Sequence, residues 1–479
     1  MTAPPYPAAL PIPGVRRAWW LREALAAETV PFPAPPVAGD LAVDVAIIGG
    51  GYTGMWTAWF LTEMAPGMKI AILEADICGG GPSGRNGGFL HGWWEQLPYL
   101  VKRFGPEAGL QLAKAADEVV EGVGAWCRDH GVDAWHTPHG YLRVNAFPTT
   151  PYDWQGLPDE LAHLGAAGQL KHVEPAEVQR TCASPAFREG LFMPSAATIQ
   201  PARLARGLRR VLLERGVQIH EATEVEHLDT AGKPIYLTTM GGRVAADQVV
   251  LAANAWAAGW PGFRARVLAW GSYMVMTEPI PDRLAEIGWT GGEALADSRF
   301  TISYFRTTQD GRIAFGAGVG AAGFDGRIGP VFTSDRAAIA RVVGNFRHLL
   351  PMLSDVRFED AWGGPIDITA DRFPEIGSRH GGRVHYAHGF AGNGVGPARL
   401  AGRTLAALVA GVQDPLAADA LVGHRQRFLP PEPFRYVGAR AVREALIRQD
   451  DALDAGREPG SLVSFVAGLP GLLGYRFKH

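Results

Sequence analysis

The sequence is poor in cysteine, in lysine and in unbroken apolar runs, and each shortage closes off a class of protein. Cys78, Cys127 and Cys182 are its only cysteines and stand far apart. Neither a disulfide framework nor a metal site is expected, and a reducing, cytoplasmic setting is. Lysines number six among 45 basic residues, and the net charge is −3. Phosphate backbones are held by clustered cations, so a nucleic-acid partner is not expected. No stretch reaches the ~18 uncharged apolar residues of a membrane-crossing helix. The nearest, Leu462 to Tyr475, is uncharged but interrupted by Gly468, Pro470, Gly471 and Gly474. Surface contact is the most that it implies. The first residues are rich in Pro and Ala and lack the basic-then-apolar order of a signal peptide.

Glycine, by contrast, is abundant at 61 residues, and one glycine-dense loop sits inside a βαβ pattern. Val43, Val45, Ile47 and Ile48 form the apolar, β-branched run of a buried parallel strand. Gly49, Gly51 and Gly54 follow in G-x-G-x-x-G spacing, with Tyr52 and Thr53 between them, and open a helical run from Met55. Such glycines serve a tight turn, close approach to a pyrophosphate and helix–strand contact, while the helix N-terminus offers amides to phosphate. A second strand, 69–73, ends at Glu74, 20 positions after Gly54. A carboxylate there holds ribose hydroxyls and repels a 2′-phosphate. The unit reads as a site for an adenine dinucleotide, FAD or NAD, rather than NADP.

At 479 residues the chain has room for two or three lobes. The expected fold class is α/β (α+β overall), a Rossmann-like nucleotide domain with an inserted, mainly antiparallel sheet. Residues 1–40 read as an arm anchored by Trp19, Trp20 and Leu21, with the Pro-rich 31–36 leading to the first strand. Residues 41–110, 171–260 and 360–415 are assigned to the nucleotide domain, 111–170 and 261–359 to the substrate domain, and 416–479 to a tail. Periodicity predicts helices at 106–130, 171–180, 200–216, 330–350 and 397–410, and one between 438 and 453. Strands are predicted at 141–144, 218–222, 244–253, 266–277, 300–306, 312–317 and 384–388.

Four stretches, IIGGGYTG (47–54), GPSGRNGG (81–88), VVLAANAW (249–256) and HGFAGNGVGPARLAG (388–402), resemble the D-amino-acid oxidase/glycine oxidase/sarcosine oxidase superfamily of flavoproteins. Within it the chain is similar to the gamma-glutamylputrescine oxidase-like branch, sharing the aromatic arm and the turn Thr277-Glu278-Pro279. The resemblance implies FAD rather than NAD and a FAD domain of the glutathione-reductase type. It also implies that Ser83, Gly84, Arg85, Asn86, Gly87 and Gly88 wrap the pyrophosphate, ribityl chain and ring edge. Gly389, Gly392, Asn393, Gly394 and Val395 would cover the N1 side of the flavin. Amides and a helix N-terminus there meet the negative charge left when hydride reaches N5.

Departures from the family pattern shape the rest. Asn393 stands where the branch has histidine. Arg85 stands where covalent relatives have an attaching histidine, and no cysteine lies in the catalytic strands, so non-covalent FAD is expected. No arginine occurs from Trp362 to Asp367, where amino-acid-oxidising relatives clamp a carboxylate, so an amine substrate is favoured over an α-amino acid. The 312–318 strand lacks the lysine that promotes oxygen reaction in the sarcosine oxidase branch, which leaves Arg306, Arg312 and Arg372 as the candidate cations for that step. Arg306 is either an ion-pairing residue or a clamp for a remote substrate acid. Asp367 either steers a cationic amine or caps a loop. Trp93, or Trp94, either walls the cavity or belongs to the core. His91 and His388 flank the cofactor loops and read as structural before catalytic, and Asp371 and Arg372 as ring neighbours, a cap or an ion pair. The expected activity is FAD-dependent amine oxidation by hydride transfer to N5, giving an imine that hydrolyses to aldehyde plus amine or ammonia, with O2 as acceptor. The alternatives are a dehydrogenase passing electrons to another carrier, and a catalytically silent flavin-binding subunit. A tRNA-modifying role, known among distant relatives, does not suit the charge.

Overall fold

The βαβ unit forms where the glycine spacing puts it, as the strand Leu41–Ile48, the helix Tyr52–Met64 and the strand Ile70–Leu73. The computed structural model describes residues 17–28, 33–148, 153–424 and 426–476, so much of the expected arm, 1–16 and 29–32, lies outside them. Residues 45–48 pair in parallel with 70–73 on one side and with 248–251 on the other. The parallel sheet extends to Gln218–His220 at one end and to Val384–His388 at the other. An antiparallel strand, Glu375–Arg379, lies beyond the latter, and a hairpin of Val225–Asp229 and Ile235–Thr239 grows from Gly242–Leu251. The Tyr52–Met64 helix is buried over nearly its whole circumference because Pro397–Ala410 packs along it. A Cβ on Gly402 would stand 2.6 Å from the Trp56 Cβ, so the glycine permits that close contact. Pro106–Asp129 covers the same layer, with Trp126 edge-on to Trp56 at 5.1 Å.

The second sheet has the order Phe358–Ile368, Leu268–Thr277, Ile313–Ala317, Ser303–Thr307, Ala294–Asp297, Tyr141–Val144, Gly190–Met193, Lys171–Val173. It is antiparallel except where Ala294–Asp297 meets Tyr141–Val144. One face packs Phe305 and Phe315 against Val342 and Phe346 of the helix Arg336–Leu349. Side chains alternate along a strand, so Tyr304 and Arg306 point the other way, toward the glycine loops.

Several elements differ from expectation. Lys171–Val173 and Gly190–Met193 join the second sheet, although 171–260 is assigned by sequence to the nucleotide domain, and Phe358–Ile368 does so although 360–415 is. The helix expected at 171–180 begins only at Pro175, which suits a first helical position, and a strand precedes it. The helix expected from 330 begins at Arg336, because the Asp335 carboxylate accepts from the amides of Ala337 and Ala338 at 2.9 and 3.1 Å. The tail holds two helices, Phe434–Asp454 and Ser461–Leu472, where one was expected.

Candidate active site

Three loops meet where the two sheets face each other. The first runs from Gly49 to Gly54. Gly49 has φ +111° and a Cβ on it would lie 2.6 Å from the Ala252 carbonyl oxygen; on Gly54 it would lie 2.0 Å from the Gly49 oxygen. Any side chain there breaks the turn. Gly51 differs, since a Cβ on it meets only the Ser83 hydroxyl, at 3.0 Å, as a position open to a pyrophosphate requires. The Glu74 carboxylate accepts from the amides of Gly50 at 2.7 Å and Asp76 at 2.8 Å. Burial pushes its pKa up to about 7.

The second loop, 81–88, folds back on that helix N-terminus. The Ser83 hydroxyl accepts from the Tyr52 amide at 2.9 Å, while Thr53 is buried in the helix's first turn. The Asn86 side chain donates to the carbonyls of Pro82 and Ser83 and accepts from the Gly88 amide at 2.7 Å. Arg85 turns its guanidinium to the carbonyls of Gly80 at 2.8 Å and Gly363 at 3.2 Å, and its own carbonyl accepts from the Trp362 indole at 2.8 Å. Arg85 therefore ties this loop to the second sheet. Gly84 lets the loop close on the Gly79 carbonyl oxygen, too near for a Cβ, and Gly87 admits the Tyr304 ring, which a Cβ would meet tightly at 3.0 Å.

The third loop, 389–396, hangs from Asp367. The Asp367 carboxylate accepts from the amides of Gly389 at 2.6 Å and Phe390 at 3.1 Å, and its backbone oxygen from Ala391 at 3.1 Å. It is fully buried, with its pKa raised to about 6 by burial. Of the two roles considered for Asp367, steering is corrected and the loop cap is the one the geometry has: both oxygens hold the loop, and the residue does not line the main cavity. Asn393 donates its backbone N–H to the Phe390 carbonyl at 2.9 Å and, with Gly392 and Val395, lines the cavity, while the Gly394 carbonyl starts the turn into the Pro397–Ala410 helix by accepting from the Ala398 amide.

Between the loops and the sheet lies a cavity of about 240 Å³. Its ledge is Gly364-Pro365-Ile366: Gly364 abuts Arg85 and the Ile366 side chain approaches Gly392, so the ledge touches both cofactor loops. Above it stand Tyr304, bonded to the Ser272 hydroxyl at 2.8 Å, and His91, stacked on Tyr141 at 5.2 Å. Burial lowers the His91 pKa, so its ring is neutral at pH 7. Four arginines also line it: Arg85 of the second loop, Arg143, paired with Glu95 at 2.9 Å, Arg372 and Arg443.

Two further expectations need correction. Arg306 does not line the cavity. Its guanidinium is buried at 1 % exposure under the Trp20 ring and donates to the carbonyls of Ile199 and Thr307. Desolvation pulls its pKa down to about 9. Arg306→Met is expected to cost about 2–3 kcal/mol of stability by leaving carbonyls unpaired, read as a lower thermal midpoint, with KM unchanged for every substrate. Trp93 packs edge-on to Phe373 at 5.3 Å and lines a separate cavity of about 70 Å³ with Arg372 and Asn393. Trp94 is core. His388 stacks on Tyr386 and meets Phe263 edge-on outside the main cavity, its pKa driven down to about 3 by burial. Asp371 bonds His424 at 2.7 Å. Among the residues that sequence reasoning missed are Tyr141, Arg143, Tyr304, Ser272 and, from the tail, Arg443 and Leu446. Tyr304 was within reach, being two positions from Arg306 on the same strand face.

Comparison with known proteins agrees with this geometry. Residues 44–408 match the DAO family, described as FAD dependent oxidoreductase. The chain is 27% identical over 413 residues to the gamma-glutamylputrescine oxidoreductase of Escherichia coli (strain K12), covering 84% of this chain and 90% of that one. It is 25% identical over 393 residues to the probable oxidoreductase OrdL of Haemophilus influenzae, covering 81% and 87%. The crystal structure of glycine oxidase from Geobacillus kaustophilus superposes with a TM-score of 0.64 at 21% identity, over 81% of this chain and all of the other. Since the family match runs unbroken from the first strand to the helix behind the third loop, the chain belongs to the DAO family of FAD-dependent oxidoreductases.

Proposed function

We propose that this oxidoreductase removes hydride from the carbon beside an amine nitrogen, yielding an imine that water hydrolyses to an aldehyde plus amine or ammonia. The residues present fit FAD: Gly51 leaves room for a pyrophosphate, and Glu74 waits at the ribose position. Arg85 holds backbone carbonyls in place of an attaching group, which supports non-covalent binding. The bound flavin supplies the hydride acceptor. Asp367 engages the 389–391 amides and so fixes the third loop, leaving the later residues, at the N-terminus of Pro397–Ala410, to meet developing negative charge without reorganising. Aromatic walls and the apolar ledge strip water from the amine and hold its C–H in one orientation. Neutral His91 adds no positive charge to repel it.

The observation that carries the amine reading is the ledge, since Gly364, Pro365 and Ile366 carry no cation and the neighbouring Arg85 turns to the Gly80 and Gly363 carbonyls. Arg143 and Arg443, which lie on neither cofactor loop, suit an amine that also bears an acid group, and Arg443 is the proposed partner of that acid. The test is anaerobic bleaching of the flavin band by a panel of alkyl amines, acid-bearing amines and α-amino acids. Acid-bearing amines should reduce it fastest, and Arg443→Met should raise their KM about tenfold while sparing alkyl amines. Fastest reduction by glycine or another α-amino acid would overturn the reading. Oxygen is the proposed acceptor. A second reading, electron delivery to another carrier, is favoured by the absence of lysine from Ile313–Ala317; peroxide formation separates the two.

A further inference from the structure

Seven of the thirteen strongly exposed large apolar side chains among the described residues lie between Phe428 and Leu473. Leu462, Phe465 and Leu472 project from the helix Ser461–Leu472 at 74, 57 and 73 % exposure. With half-buried Leu469 they recur at the three- and four-residue spacing of one helix face. The opposite face packs Val463, Val466 and Ala467 on Val442, Ala445 and Leu446 of Phe434–Asp454. A helix apolar on every side belongs in an apolar surround, and this chain covers only half of it. The exposed side continues beyond the helix. The Tyr475 hydroxyl donates to the Phe428 carbonyl at 3.0 Å, and the antiparallel pairing brings Phe434 and Val437 beside the end that carries Leu472 and Leu473.

We infer that this helix pair docks the enzyme on an anionic phospholipid surface. The run from Gly460 to Tyr475 has no charged residue, yet its helix of 12 residues is too short to cross a bilayer. It lies in the interface with its Leu/Phe stripe among acyl chains. Charge selects the lipid: residues 424–479 carry nine Lys and Arg against six Asp and Glu, +3, while the rest of the chain sums to −6 within a total of −3. Exposed Arg427 abuts Gly474, and exposed Arg440 lies 5.5 Å over the Tyr436 ring, placing cations at the edge of the stripe. Protein hot spots are central Trp, Tyr and Arg anchors, whereas the centre of this stripe is Leu462, Phe465, Leu469 and Leu472 and its tyrosines and arginines stand at the edge. Phe434–Asp454, sandwiched between this surface and the cavity, carries Arg443 and Leu446 into the cavity lining.

The test is co-sedimentation of the FAD-loaded full chain with vesicles of phosphatidylglycerol and phosphatidylcholine in equal parts, and with phosphatidylcholine alone. Binding is expected to the anionic vesicles and to weaken with salt. The double variant Leu462→Ser/Phe465→Ser should bind about tenfold less with flavin content, thermal midpoint and solution turnover unchanged. Arg427→Glu/Arg440→Glu should lose only the preference for anionic lipid. Wild-type protein that ignores both vesicles overturns the proposal. So does a concentration-dependent dimer that Leu462→Ser/Phe465→Ser abolishes while lipid binding stays absent, since the face would then belong to a second copy.

Discussion

Replacing Glu74 by glutamine is expected to weaken FAD binding by about two orders of magnitude and to flatten its pH dependence near neutrality. The carboxylate already accepts from the Gly50 and Asp76 amides, and its remaining lone pairs are the acceptors offered to ribose hydroxyls. Only the ionised form accepts fully, whereas burial holds the pKa of the flavin-free protein near 7. Binding below that value must release a proton, so affinity should fall about tenfold per pH unit in acid. The sign reverses for stability of the flavin-free chain. A folded value of about 7 above the unfolded 4.5 means a contribution that is complete below pH 4.5 and lost as pH rises through 7. Glu74→Gln removes that loss and should stabilise the flavin-free protein at pH 8, by up to about 3 kcal/mol. Fluorescence titration with FAD from pH 5.5 to 8 and thermal unfolding of stripped protein read the two effects. Equal affinities, or a wild-type affinity flat with pH, would place the ribose elsewhere.

The parts legible in the sequence are those written in local spacing. Gly49, Gly51, Gly54 and Glu74 are separated by fixed numbers of residues, and a turn, a helix and a strand fill those numbers in only one way. The strand Val384–His388 and the helix Pro397–Ala410 match their expected bounds for the same reason. Asp367 was legible in part: a loop cap was one of its two readings, but which loop it caps was not written locally. Gly363, Gly364 and Pro365 break any strand pattern before it, yet it lies near the end of an 11-residue strand held in register by Leu268–Thr277. That pairing, not the local sequence, aims its carboxylate at Gly389.

Arg306 failed for a related reason. Alternation gives its face correctly, the face it shares with Tyr304, but two residues of travel along the strand separate a cavity wall from the underside of Trp20. Only the docking of the arm decides which residue the substrate meets. In the tail, Gly468, Pro470 and Gly471 read as breakers. Pro470 nonetheless sits inside Ser461–Leu472, near its end, because burial of Val463, Val466 and Ala467 against the neighbouring helix outweighs the missing amide. Tertiary packing overrode propensity at that position.

Arg372→Met is expected to slow reoxidation of the reduced enzyme by O2 about 10- to 100-fold while changing the rate of flavin reduction by an amine far less. Transfer of the first electron puts negative charge on oxygen, and a fixed cation beside the cavity lowers the cost of that charge. Sequence offered Arg306, Arg312 and Arg372 for this task. Arg306 is sealed behind Trp20, and Arg312 is held by Asp310 at 2.7 Å and Glu359 at 2.5 Å against the Trp19 ring. Arg372 alone of the three lines the cavity, at φ +62°, and burial brings its pKa down only to about 10, so it is charged at pH 7. It also borders the smaller cavity with Gln96 and Asn393, so that a small molecule in either space meets it. Stopped-flow mixing of dithionite-reduced enzyme with O2 reads the effect, with Arg306→Met and Arg312→Met as controls that should reoxidise at the wild-type rate. Reoxidation by the Arg372 variant at the wild-type rate removes the arginine from the oxygen step. A wild-type rate no faster than that of free reduced flavin would instead assign the electrons to another carrier.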